Sequence, residues 1–410
     1  MQVSAVHKAY LKGLMSYGAS EMVAKISRLF VVVAIARMLA PEQVGLAAAA
    51  FAICETIKAL TENGVGQRII AASDDELEAT AARAHWIFWR WAMALIAFQI
   101  GLAAVLYACG FPVIAGLVAV AALEYLFMPG GQVQVALAMR EGRHPQVATI
   151  AGVQIVSANV LTILLAIVLP SPIVLILPRV LTAPIWLIAV RRLRPWRKCA
   201  AVTPEPIAPF VRYGLPVLGV EAVKAMRMHS DKLIVGALLG AEGLGLYFMA
   251  FNAGLNIATS YASALAKIAF SHLSQSLRLD VDARQSGILS LIVISPFIIA
   301  QALLAPTYVP LLLGDSWADV VPAVSILCLC ALPLTLWTVA AARLRLRGQP
   351  EIELGVDALL VLMLTLSAVI TAPMGLTAMA TGYLVTTSAV LLLASAPLFL
   401  PSLSKPVQEI

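Results

Sequence analysis

Residues 36–52, ARMLAPEQVGLAAAAFA, and residues 236–252, GALLGAEGLGLYFMAFN, are two versions of one turn. At a shift of 200 residues, Leu39/Leu239, Glu42/Glu242, Gly45/Gly245, Leu46/Leu246, Ala50/Ala250 and Phe51/Phe251 are identical. Without gaps the register reaches back to Glu21/Glu221 and Val23/Val223. In both, one apolar run stops at a short segment holding an acid and a glycine, and a second run begins. A later echo sets AMREGRHPQ (138–146) against RLRLRGQPE (343–351), a basic turn late in each half. The pattern predicts two equivalent halves, 1–198 and 199–410.

Working outward, composition says what the apolar runs are. Of 410 residues, 61% are apolar and 12% charged, against roughly 25% charged in an average soluble domain. A soluble chain of this size cannot bury so much apolar side chain. That excludes a soluble enzyme, a disordered protein and a secreted disulfide scaffold, and the net charge of +6 points to no nucleic acid. An all-α polytopic membrane protein remains. Hydropathy and punctuation give about twelve transmembrane helices: 17–39, 44–62, 84–108, 112–138, 146–169, 172–190, 211–237, 244–270, 287–305, 320–342, 352–371 and 376–397. Span 4 is broken at Pro129-Gly130-Gly131, which is tolerable where the freed backbone groups face protein or water. Ser73-Asp74-Asp75-Glu76 reads as a capping box that starts a helix running into span 3.

Charge placement sets the orientation. With a cytoplasmic N-terminus, the cytoplasmic loops and tails hold 17 of the 28 basic residues, among them RRLRPWRK (191–198), and the opposite loops hold none. Both termini are then cytoplasmic, and the N-terminal stretch reads as a tail rather than a cleaved signal. Both halves begin on the same side. They form two six-helix bundles related by a pseudo-two-fold along the membrane normal, with a cleft between them.

Ionisable residues inside spans are costly and face interiors or wet cavities. Glu21, Lys25 and Arg28 form one stripe on span 1; Glu221, Lys224, Arg227, Asp231 and Lys232 favour one side of span 7. Asn252, Asn256, Thr259, Ser263 and Lys267 cluster on span 8. Glu55, Lys58, Arg90, Glu124, Arg179 and Asp357 are scattered over other spans. Glu21–Lys25 and Glu221–Lys224 have the spacing of helical ion pairs. Arg37 reads as a snorkelling side chain and Arg90, beside Trp86, Trp89 and Trp91, as an interfacial anchor. Within the spans 11 basic residues face 8 acids, and an excess of that sign suits a substrate carrying phosphate. The five cysteines (Cys54, Cys109, Cys199, Cys328, Cys330) read as small apolar fillers. Of the five histidines only His229 is mid-span, where it reads as a packed side chain.

ARMLAPEQVGL after span 1, GLPVLG (214–219) opening span 7, and DKLIVGALLGAEGLGLY (231–247) resemble the Wzx-like oligosaccharide flippases of polysaccharide biosynthesis. That family lies in the superfamily of the lipid II flippase and the multidrug and toxin extrusion (MATE) transporters. The resemblance covers nearly the whole chain. It implies alternating access by a transporter, not an enzyme, in the bacterial inner membrane. The cargo would be an undecaprenyl-pyrophosphate-linked oligosaccharide moved to the outer leaflet for exopolysaccharide, capsule or O-antigen. The partners would be that lipid-linked oligosaccharide, the lipid bilayer and the polysaccharide polymerase machinery. The chain ends soon after span 12, short of two further spans that serve lipid II, so lipid II is not the expected cargo. Lys25, Arg28, Lys224 and Arg227 are expected to meet the pyrophosphate, with Glu21, Glu221, Asn252, Asn256 and Lys267 completing the cavity. No bound cofactor is expected. Coupling to H⁺ or Na⁺ would fall to Asp231 or Asp357. The alternatives are a MATE-like exporter of organic cations, which calls for an acidic cavity, and a membrane-embedded glycan polymerase or ligase. The latter calls for a large outer loop with catalytic residues, and the longest outer connection, 305–320, has only Asp315 and Asp319 as charges.

Overall fold

The computed structural model describes residues 27–198, 202–255, 265, 273 and 278–399. Among them the regular elements are all helical. In chain order these are α1 (27–38), α2 (Pro41–Ala59), α3 (Val65–Ala71), α4 (Leu77–Ala108), α5 (Pro112–Ala121), α6 (Pro129–Arg140), α7 (His144–Val168) and α8 (Leu177–Leu193). There follow α9 (Ala208–Ala253), α10 (Leu279–Leu313), α11 (Val321–Leu329), α12 (Ala331–Leu346), α13 (Pro350–Thr371) and α14 (Leu376–Ser395). Among the described residues, eight stretches are long and apolar enough to cross a membrane, nine with the bent pair α5–α6. Of the remaining expected spans, α1 and the second arm of α9 run out of the described residues, and α2 carries Glu42, Glu55 and Lys58 in only 19 residues. Outward faces are apolar: Val160, Leu164 and Ile167 on α7, and Leu289, Ile292, Phe297 and Leu303 on α10, are exposed. Thr162 of α7 and Ser290 of α10 are buried on the inner faces. The chain is a multi-pass membrane protein.

The repeat is visible in the backbone. The first turn breaks at Ala40 (φ −70°, ψ 155°), and α9 breaks at Gly240 (φ 71°, ψ −169°), 200 residues on. Gly240 adopts a left-handed φ that costs a side chain dearly. Burial repeats as well: Glu42 and Glu242 are exposed, and Val44/Leu244, Gly45/Gly245, Ala47/Tyr247 and Ala50/Ala250 are buried. The later echo is also a shared motif. Gly142 (φ 75°) and Gly348 (φ 70°) close α6 and α12. Behind them Arg143 N–H donates to Ala138 O at 2.9 Å, and Gln349 N–H to Leu344 O at 3.0 Å. Both are Schellman closures, each followed by a proline that opens the next helix.

Span 4 breaks where its sequence says. α5 passes through a 3₁₀ turn (Ala122–Leu126) into α6, with a bend of 53°. The carbonyl of Gly130 accepts a bond from Arg191 Nε of α8 at 3.0 Å. A Cβ at Gly131 would lie 2.7 Å from both Trp186 and Val190 of α8, so the two glycines let α6 and α8 meet almost backbone to side chain.

The capping box is a correction. α4 starts at Leu77 with Glu76 at its N-cap, and no side chain caps it. Asp74 is instead engaged by Arg140, at 2.6 Å across 66 residues, while Arg140 Nη1 caps the end of α3 through the carbonyls of Ile70 and Ala72. A tertiary ion pair has claimed the local cap.

Two compact units divide the chain, Met1–Leu233 and Ile234–Ile410. The first includes the segment 202–207 and the first arm of α9, which a set of polar contacts straps down. Glu205 pairs with Arg68 and accepts a bond from Thr80 Oγ1 at 2.8 Å. Its carbonyl accepts from Arg83 Nε at 2.5 Å, and its N–H donates to Ala79 O at 3.2 Å. One turn into α9, Tyr213 donates to Gln67 at 3.1 Å, and Gly214 packs so closely on Asn63 O that a Cβ would stand 2.6 Å away.

In the second unit α12 is the most enclosed helix. Leu336, Trp337, Val339 and Ala340 pack with Ala283 of α10 and Leu391 of α14. At its basic end, Arg343 and Arg347 both grip Asp280, at 2.8 and 2.5 Å. Burial alone would raise the Asp280 pKa, but the hydrogen bonds and charges of the two arginines outweigh it and hold the carboxyl below the usual carboxylate range. A depressed pKa contributes stability that is present above the unfolded value, about 3.9, and is lost as pH falls through the folded value. Acid unfolding of the wild type should therefore include a component below about pH 4. Asp280→Asn should be less stable at neutral pH and lack that component. Equal acid limbs for both proteins would count against the tie.

Candidate functional site

The first unit holds four ionisable side chains deep among its spans. Glu55 and Lys58 lie three residues apart on α2, on one face. Glu124 enters from the 3₁₀ turn of span 4, where the tightened backbone turns its carboxylate inward and leaves it 8% exposed. Arg179 comes from the first turn of α8. Arg179 Nη1 is 2.5 Å from Glu55 Oε1 and its Nη2 is 3.7 Å from Glu124 Oε2. Lys58 Nζ is 2.5 Å from Glu124 Oε1. Two acids and two bases from three spans thus alternate along a circuit of three ion pairs, and their formal charges sum to zero. Such a circuit tolerates a low-dielectric interior in a way that any one member alone does not.

The neighbours finish the site. Gln99 of α4 is fully buried and donates to Val118 O at 2.7 Å. Arg179 also lies 5.3 Å over the ring of Phe51, whose other neighbour is His229 of α9, edge-on at 6.5 Å. Between Glu55, Lys58, Gln99, Glu124, Tyr125 and Arg179 is a small cavity with ≈ 10 Å³ of room for water centres, enough for about one water. The repeat equivalent of Phe51 behaves differently. Phe251 sits between Tyr247 and Tyr383, at 5.0 and 5.1 Å, in an aromatic cluster.

The other sequence-selected residues fall as follows. Glu21, Lys25, Asn256 and Lys267, and the side chain of Arg227, lie outside the described residues. Arg28 is exposed. By helical angle it stands in the middle of the stripe formed by Val32, Ile35, Ala36 and Leu39, all of which are buried. Lys224 pairs with Glu221 at 2.7 Å. Asp231 pairs with Lys232 at 3.1 Å, and Asn252 bonds the carbonyl of Phe248 one turn back at 2.7 Å. Asp357, two turns into α13, is near enough to act on Arg345, which Glu353 holds at 2.5 Å. Arg90 stacks on Trp86 at 4.8 Å, as befits an anchor. Cys54, Cys328 and Cys330 are buried and Cys109 is exposed, so the last is not a core filler. Among the described residues no group of His, Cys, Asp and Glu could hold a metal ion.

Sequence reasoning found each member of the charge circuit but not the circuit. The available signal was the tally. Spans 2, 4 and 6 of one half carry two acids and two bases near mid-depth, and the matching spans of the other half carry no such set.

Residues 34–322 match the polysaccharide biosynthesis protein family. No protein with a curated description matches the chain by sequence. Among solved structures, the chain is similar to the lipid II flippase MurJ in an inward closed conformation (TM-score 0.78, 10% identity, 93% of this chain and 86% of that one). It is also similar to an inward-facing multidrug resistance MATE family transporter of the MOP superfamily (0.71, 14%, 91% and 93%). A third is a MOP superfamily transporter from Pyrococcus furiosus, described as having a binding pocket of reversed polarity (0.56, 14%, 94% and 91%). At these identities the likeness is one of fold.

Proposed function

We propose, from the premise that the chain belongs to the polysaccharide biosynthesis protein family, that it is a flippase for an undecaprenyl-pyrophosphate-linked oligosaccharide. It works in the bacterial inner membrane with both termini in the cytoplasm. It moves its cargo to the outer leaflet by alternating access, and hands it to polymerase machinery for exopolysaccharide, capsule or O-antigen.

The observation that carries the reading is the state of the cations. The deep charges of the first unit cancel, so the excess of basic over acidic residues in the spans resides elsewhere, in a set that includes Arg28. Arg28 lies on the inward stripe of α1 and yet is exposed, which fits a side chain on an open interior rather than on lipid. A guanidinium stays charged there and offers phosphate a two-pronged grip. An exporter of organic cations has no use for it.

Arg28→Ala should lower export of lipid-linked oligosaccharide at least about tenfold, the loss of one charged hydrogen bond, at normal protein levels. Arg28→Lys should keep part of the activity. The assay is accumulation of the lipid-linked glycan on the cytoplasmic face of cells lacking the native copy. Full export by the alanine variant would return Arg28 to a structural role.

A further inference from the structure

We propose that His229 is a proton-binding residue, and that its protonation draws Glu55 away from Arg179. Its use in transport rests on the flippase reading above; proton binding itself does not.

His229 lies on the face of α9 that also carries Gly214, Glu221, Ala225 and Lys232. Gly214 is packed on Asn63 and Ala225 is buried, so this face is turned into the first unit. The Nδ1 atom of His229 is buried without a hydrogen-bond partner among the described residues. A native interior seldom leaves a polar atom so placed without reason. The ring stands edge-on to Phe51, and Arg179 stands over the same Phe51 ring. Phe51 and Glu55 are one helical turn apart on α2. The carboxylate that Arg179 holds at 2.5 Å is close enough to act on the imidazole.

The charges facing His229 are few. Glu55 acts on it from α2, and Asp231 and Lys232 act from its own helix. Asp231 and Lys232 are engaged with each other. Arg179, Lys58 and Glu124 form the layer behind Glu55. A neutral imidazole leaves Nδ1 without a partner among the described residues, whereas an imidazolium is attracted by Glu55. One proton from water adds to a ring nitrogen and no other covalent bond changes. Glu55 then has two competing cations, and the weaker 3.7 Å link to Glu124 leaves Arg179 as the member free to turn outward. Loss of the proton to water restores the original pairing. Protonation thus puts one extra positive charge into a circuit that was balanced, the change needed to favour an anionic cargo in one state over another. A sodium ion is a poorer fit. Both carboxylates are already matched by cations, and an imidazole is not the oxygen ligand a hard ion prefers.

Two arms test this. In the first, the full chain with ¹⁵N-labelled histidine is placed in nanodiscs, and His229→Gln and His229→Asn identify the His229 signal by its absence. That signal should change from neutral to protonated as the pH is lowered from about 8 to about 4; a signal constant over the range overturns the proposal. In the second, inverted vesicles are loaded with a fluorescent polyprenyl-pyrophosphate oligosaccharide. A pH gradient, but not a sodium gradient, should stimulate the wild type, and both His229 variants, at wild-type protein levels, should lose the stimulation. Variants that respond to the gradient like the wild type overturn the coupling role. A wild type that flips no probe fails the flippase reading instead, and the first arm then decides the proton site alone.

Discussion

Arg179→Ala should be among the most damaging single substitutions in the chain. It leaves Glu55 and Glu124, on two different helices, facing one another with only Lys58 to compensate. Removing one partner of a buried ion pair costs about 3–5 kcal/mol, because the charge left behind has lost both water and its counter-ion. Arg179 is 23% and Glu124 11% exposed at the side chain, so solvent screening relieves little of it. Thermal unfolding in detergent should show a large drop for Arg179→Ala, a smaller one for Arg179→Lys, and partial recovery when Glu55→Gln is added to Arg179→Ala. The recovery is the informative part. It follows if the loss comes from an uncompensated carboxylate, and fails to appear if Arg179 acts mainly by filling space. A wild-type melting temperature in Arg179→Ala would dispose of the circuit as a structural element.

The second large effect is expected at Gly131, where two rules oppose one another. In a helix interior alanine is favoured over glycine by about 1 kcal/mol, so propensity says that Gly131→Ala should stabilise. Packing says otherwise. The new Cβ would stand 2.7 Å from Trp186 and from Val190, and overpacking of that kind costs about 1–3 kcal/mol. The clash should win, because α8 cannot withdraw without also lengthening the Arg191 bond to the Gly130 carbonyl. Gly116 is the control. Nothing lies within 4 Å of a Cβ built there, so Gly116→Ala should be neutral or better. Trp186→Leu, which makes room, should restore part of what Gly131→Ala loses. Unfolding measurements on the three variants and the double variant decide between propensity and packing.

What could be read from the sequence divides along the range of the interactions. The turns at Ala40 and Gly240, and the closures at Gly142 and Gly348, depend on backbone chemistry within a few residues, so both repeats were legible. Span limits followed from hydropathy for the same reason. α3 was not foreseen, since its seven residues are held by Arg140 from 70 residues away. The capping box misled because the same arginine takes Asp74. Glu55, Lys58, Glu124 and Arg179 were each visible as charges in apolar surroundings, but their partners are 55 residues or more along the chain. No helical spacing rule reaches that far. The pair Glu221–Lys224 was legible because its spacing is local.

The strap at Glu205 bears on how the protein is made. A ribosome delivers the first six spans before it delivers Glu205, and until then Arg68, Arg83 and Thr80 wait for a partner that lies 122 to 137 residues downstream. The first arm of α9 arrives later still, bringing Tyr213 to Gln67 and His229 to Phe51. Synthesis of the leading unit is thus completed only after the next span has begun to enter the bilayer. A fragment stopped at residue 198 holds every span of the first half and lacks its last fastening. Nascent chains arrested at residue 198 and at residue 233 should differ in resistance to protease, with the longer one the better protected.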